Sequence, residues 1–99
     1  METSFEISLN IKTTKGLETY ACFYLGTNEK FAKRLFDEMQ GEREIKENSV
    51  ISMDLLKRHK GIPYPMSILH CNWEHVAHNT KIITKEIFKE LNLEQNRLL

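Results

Sequence analysis

The stretch Asn72 to Leu93 carries the longest helical pattern in the chain, and it limits what the rest can build. Trp73, Val76, Ala77, Ile83, Ile87, Phe88 and Leu91 recur at helical spacing, with Thr80 and Thr84 on the same stripe. Asn72 stands at the N-cap position, where its side-chain oxygen can accept an amide N–H of the first turn. Glu74 follows in that turn, where the helix dipole favours an anion. A helix with one apolar stripe must bury it against another element. Only the two strand-rich segments that precede it can supply that surface.

Phe5, Ile7, Leu9 and Ile11 alternate with Glu6, Ser8, Asn10 and Lys12, the period of a half-buried strand. A loop of Thr14, Lys15 and Gly16, with the glycine in the left-handed position, leads into a second strand from Leu17 to Leu25. That loop sets Ile11 opposite Thr19, Leu9 opposite Ala21, Ile7 opposite Phe23 and Lys12 opposite Glu18. Gly26 breaks the strand. Thr27 or Asn28 then caps a helix whose stripe is Phe31, Ala32, Leu35, Phe36 and Met39, with Gly41 as its C-terminal glycine. Glu42 to Asn48 is a charged connection. A third strand, Val50 to Leu56, places Ile51, Met53 and Leu55 on one side. Arg58-His59-Lys60-Gly61 forms a turn into a fourth strand, Tyr64 to Cys71. Pro63 and Pro65 cannot donate to a ladder, so this strand starts at a sheet edge or before pairing begins.

The halves 5–41 and 49–93 share a grammar. Ile7-Ser8-Leu9-Asn10-Ile11, Lys15-Gly16 and Thr27-Asn28-Glu29 correspond to Ile51-Ser52-Met53-Asp54-Leu55, Lys60-Gly61 and Asn72-Trp73-Glu74. This reads as a ββα pseudo-repeat. The fold class it predicts is α+β: a ββαββα two-layer sandwich with a four-stranded antiparallel sheet and both helices packed on one face, in a single domain over 1–99. The order of the two hairpins in the sheet is left open. The tail from Glu94 is expected to fray, with Leu98 and Leu99 able to dock.

Charge narrows the function. Fourteen basic and fourteen acidic side chains cancel, so the chain has no field to gather phosphates, and nucleic acid is not an expected partner. The same neutrality eases self-association. Cys22 and Cys71 are the only cysteines, too few for a disulfide framework or a zinc ribbon. The pattern shows no basic-then-apolar leader and no apolar run of about 20 residues. The expectation is a cytoplasmic chain with reduced thiols and no membrane contact.

The densest chemistry is His70-Cys71-Asn72-Trp73-Glu74-His75-Val76-Ala77-His78. These are zinc-ligand types, but helical rotation turns His75 and His78 away from the apolar stripe, and the spacing matches no standard zinc site. No metal ligand, catalytic residue or cofactor is assigned. His70, Cys71 and His75 remain as candidate ligand-binding residues, since a helix start favours anions and stabilises a thiolate. His70 aligns with Leu25, at the edge of the core. The sheet face away from the helices would carry Tyr20, Cys22, Tyr24, Val50, Ser52, Leu56, Leu69 and Cys71, too apolar for a fully wetted surface. Ile82 falls opposite the buried stripe, in line with His75 and His78. Tyr20, Cys22, Tyr24, Val50, Leu69 and Ile82 are therefore the expected interface. An RNA platform would need more exposed rings than Tyr20 and Tyr24 and a basic surface. The functional expectation is a small non-catalytic protein-interaction module that forms a homodimer, through the open sheet face or an edge strand, or binds another protein. The alternative is a small-ligand (anion) or metal-binding domain, with enzymatic activity an extension of it, sited near the start of the C-terminal helix.

Overall fold

The computed structural model describes residues 3–95, and side chains as far as residue 90. Strands β1 (Thr3–Thr13) and β2 (Gly16–Gly26) form a hairpin, followed by helix α1 (Glu29–Glu38). Strands β3 (Ile51–His59) and β4 (Ile62–Cys71) form a second hairpin, followed by helix α2 (Trp73–Gln95). The four strands make one antiparallel sheet in the order β2-β1-β3-β4, an α+β fold. The hairpins thus join through their first strands. Ile7 lies opposite Leu55, Leu9 opposite Met53 and Ile11 opposite Ile51. The alternations of β1 and β3 are therefore in phase, with apolar residues on one face and Glu6, Ser8, Asn10, Ser52 and Asp54 on the other.

The apolar face is covered by the helices. Phe5, Ile7, Leu25, Met53, Leu55 and Leu69 pack with Phe31, Ala32, Leu35 and Phe36 of α1 and Ile83 of α2. Asn28 caps α1 by accepting from the Phe31 N–H at 3.1 Å, satisfying one of the free amides of the first turn. The helix stops at Glu38, earlier than a cap at Gly41 implies: Met39 is already extended and donates its N–H to the Phe36 carbonyl. Gly41 has a different task. Its φ is +156°, and a Cβ there would lie 3.1 Å from both the His70 carbonyl oxygen and Leu69 Cβ. Glycine lets the chain press against β4, where Glu42 and His70 exchange backbone hydrogen bonds of 2.9 and 2.8 Å.

Both turns are tighter than expected, and two register shifts follow. In the first hairpin Thr13 pairs with Gly16, which moves Lys12 opposite Leu17 and Ile11 opposite Glu18. An extra residue, Tyr20, then restores the expected pairing of Leu9 with Ala21 and Ile7 with Phe23. In the second hairpin Lys60 and Gly61 (φ 52° and 81°) form a two-residue loop with His59 opposite Ile62. Left-handed values at both positions are those of a type I′ turn. Met66 is the extra residue of β4, and here the shift reverses the expected phase: Met53 faces Leu69 and Ile51 faces Cys71. Leu69 is accordingly a core residue at 3% exposure, not a surface one. Lysine is strained at φ 52°, so Lys60→Asn is expected to raise stability by about 0.5 kcal/mol, read as a higher urea midpoint at unchanged slope.

Helix α2 presents a face rotated from its hydrophobic pattern. Asn79 and Ile83 are fully buried, and Ile82 and Ile87 pack against the core. Trp73 and Phe88 are about two-thirds exposed, at 67% and 65%, and Ala77 and Thr84 are exposed. Ile82 therefore supports the core and does not lie on the opposite surface. The reason is polar: Asn79 is held at the contact by accepting from the Gln40 N–H and donating to the Gln40 carbonyl, and it fixes the helix rotation. The side chain of Leu91 and the tail residues Leu98 and Leu99 lie outside what the structure describes.

Candidate functional site

The three residues grouped at the start of the C-terminal helix serve three separate places. His70 faces Ser52 across β3 and β4, on the face away from the helices. Cys71, one residue on, turns to the core side, where its sulfur lies 3.7 Å from the Gln40 carbonyl and 3.8 Å from Asn79 Nδ2. Burial pushes its thiol up to about 11, outweighing the Asn79 hydrogen bond. The sulfur is thus a neutral packing group near a helix start, and the expected thiolate does not form at neutral pH. His75 completes the cap of α2: its N–H donates to Asn72 Oδ1 at 2.8 Å, and its Nδ1 accepts from the Asn72 N–H at 3.2 Å. This is the reciprocal geometry of a capping box, with imidazole in the place of the usual carboxylate. Among the described residues, no group of three or more His, Cys, Asp or Glu side chains is placed to hold a metal ion.

The polar chemistry lies instead on the two central strands of the open face. Glu6, Ser8, Asn10 and Ser52 are each at least nine-tenths buried there. Buried polar groups must find partners, and these do. Asn10 Nδ2 reaches Ser8 Oγ at 3.2 Å and Ser52 Oγ at 3.4 Å, while Thr19 Oγ1 donates to Asn10 Oδ1 at 2.7 Å. Arg58 donates through Nε and Nη2 to Glu6 Oε1 at 3.1 and 2.6 Å, and Cys22 donates to Glu6 Oε2 at 3.2 Å. Burial, then the bond to Glu6 and its charge, push the Cys22 thiol up to about 11. A depression of about 490 Å³ lies over Glu6, Asn10, Cys22, Asp54 and Arg58. Its Glu6 and Arg58 charges neutralise each other.

Asp54 is the one strained member. Its Oδ1 is buried with no hydrogen-bond partner. Burial raises its carboxyl above the ordinary range, and hydrogen bonds with Ser52 and Asn10 and the charge of His70 only partly oppose this. A carboxyl raised in the folded state costs stability while ionised; the cost is full above the folded value and is relieved as pH falls through it toward the unfolded value. Asp54→Asn is therefore expected to raise the thermal midpoint at pH 7. Its advantage over the wild type should shrink as the pH is lowered to about 4, near the ordinary aspartate value. A constant difference across that range would contradict the assignment.

Around this polar floor the face is apolar and open. Leu17, Tyr20 and Tyr24 of β2 are exposed at 64%, 59% and 62%, and Val50 and Ile68 are exposed across the sheet. Of the expected interface residues, Tyr20, Cys22, Tyr24 and Val50 stand on accessible positions, whereas Leu69 and Ile82 serve the core. The network of Ser8, Asn10, Ser52 and Asp54 was not expected as a unit. Its signal was the run of small polar residues at alternate positions of both first strands, which acquires meaning only once those strands are known to be neighbours. The described residues include no helix long and apolar enough to cross a membrane. Comparison with family models, with curated proteins and with solved structures finds no match to this chain.

Proposed function

We propose that this chain is a small, non-catalytic protein-interaction module that self-associates as a homodimer through the open sheet face or an edge strand. The observation that carries the reading is the set of exposed large apolar residues on β2: Leu17, Tyr20 and Tyr24 face solvent while a core of ordinary composition lies behind them. Three large apolar side chains exposed along one strand are a surface that a partner can cover. Zero net charge leaves no repulsion between copies. Both thiols are held neutral, and Glu6 is bound by Arg58 and Cys22, so these three groups are not free to act as nucleophile or base. The reading of the chain as a single cytoplasmic domain of two ββα units belongs to the same proposal, and the pairing of Leu9 with Met53, counterparts in the two halves, supports it.

Native mass spectrometry and sedimentation of the full chain, with no metal or ligand added, test the reading. A concentration-dependent dimer of bare chains is expected. A bare monomer at the highest soluble concentration would overturn it. A monomer carrying extra mass would favour a ligand-binding domain instead.

A further inference from the structure

We infer that the second copy docks on the free edge of β2, so that two four-stranded sheets join into one continuous antiparallel sheet. This inference rests on the self-association reading above and names its surface. The two edges of the sheet are protected unequally. On β4, Pro63 and Pro65 have no N–H to offer, and Glu42 already exchanges two backbone hydrogen bonds with His70. Prolines and covering segments are the usual means of closing an edge. Among the described residues the β2 edge has neither. Its eleven residues contain no proline and one charge, Glu18, and they include Tyr20, Cys22, Phe23 and Tyr24, residue types that favour strands. An edge of unpaired backbone groups with so little charge is a template for another strand.

The sequence of β2 selects its own copy as that strand. A two-fold dimer brings the same strand against itself in antiparallel sense, and its contacts are self-complementary. Between the extra residue Tyr20 and the register shift at Leu25, the run Ala21 to Tyr24 is regular. With the two-fold axis at Cys22, Ala21 meets Phe23 of the second copy, a small residue against a large one on the core side. Tyr20 meets Tyr24 of the second copy, twice over by symmetry, on the open side. Facing aromatic residues are among the favourable cross-strand pairs. Moving the axis to Ala21 sets Tyr24 against Glu18, and moving it to Phe23 sets Tyr24 against Cys22. Only the axis at Cys22 pairs the rings and keeps Glu18 away from both an aromatic partner and its own copy.

Sedimentation of the wild type, Cys22→Lys and Ile68→Lys tests this. Cys22 is exposed, and lysine there can reach Glu6, so the fold should persist, checked by circular dichroism. In the proposed register the two lysines face each other across the axis, and like charges directly opposite repel. Dimerisation of Cys22→Lys should weaken by about fivefold, while Ile68→Lys, on the far strand, should dimerise as the wild type does. A monomeric wild type would overturn the self-association reading and this inference together. A dimeric wild type with an equally dimeric Cys22→Lys, or with dimerisation lost in Ile68→Lys, would overturn the edge alone. Should Cys22→Lys fail to fold, an isotope-filtered NMR experiment on mixed labelled and unlabelled wild-type dimer decides. A contact between Tyr20 of one copy and Tyr24 of the other supports the inference, and its absence overturns it.

Discussion

Replacing Asn79 with alanine is expected to lower the unfolding free energy by about 3 kcal/mol. Asn79 is fully buried in the middle of α2. Its Oδ1 accepts from the Gln40 N–H at 2.7 Å, and its Nδ2 donates to the Gln40 carbonyl at 2.7 Å. One side chain thus satisfies both backbone groups of Gln40, two residues past the end of α1, as a paired strand would. Its amide also packs on Met53 and Cys71. Alanine removes both bonds and leaves a void, and void and lost hydrogen bonds each cost on the order of 1–3 kcal/mol. Asn79→Asp separates the two contributions. An ionised carboxylate keeps the bond from the Gln40 N–H but turns an acceptor toward the Gln40 carbonyl. It should therefore be as harmful as alanine at pH 7 and recover on acidification, because the protonated acid can donate again. Urea titrations at both pH values check this. An Asn79→Asp variant as stable as the wild type at pH 7 would show that the donor is not needed.

Asn79 also explains where the sequence was readable and where it was not. The caps of both helices were legible because capping is local: Asn28 and Asn72 bond amides three residues away. The alternation in β1 and β3 was legible because each strand buries one face. The missing N–H of Pro63 and Pro65 left two placements, a sheet edge or a stretch before pairing begins, and the structure takes the first: β4 is an edge strand, paired with β3 at both prolines. What could not be read depends on partners distant in sequence. Asn79 reads as a polar residue on a helix, and only Gln40, 39 residues away, makes it a core residue.

The candidate site shows the same division. Whether Leu69 or His70 faces the core depends on Met66, the extra residue of β4. A one-residue slip exchanges the faces of every residue beyond it, so an unforeseen bulge exchanged Leu69 and Cys71 with Ile68 and His70. A grouping of His70, Cys71 and His75 by nearness in sequence could not survive, since adjacent residues of a strand point to opposite sides. Cys22 and Tyr24 were found because their strand has no such shift between Ala21 and Tyr24. The network under them was missed because Ser8, Asn10, Ser52 and Asp54 are brought together by the pairing of β1 with β3, which no local pattern encodes.

A pair of alanine substitutions on α2 measures the rotation of this helix directly. Hydrophobicity alone makes Trp73 the heaviest member of the buried stripe, and tryptophan truncation in a core costs about 3–5 kcal/mol. In the structure Trp73 is 67% exposed, whereas Ile83 is fully buried among the core residues. Ile83→Ala should therefore cost about 3 kcal/mol, and Trp73→Ala less than about 1 kcal/mol. The order matters more than either value, because a helix rotated to the hydrophobic stripe would bury Trp73 together with Ile83 and make its loss at least as large. The order also bears on the interface. If α2 turned Trp73 inward, Ile82 would swing outward and could extend a surface on the helical side. With Ile82 packed against the core, exposed apolar residues on the strands are left as the side a second copy can use. Equal losses for the two variants, or a larger loss for Trp73→Ala, would reject this rotation of α2 and with it the assignment of Ile82 to the core.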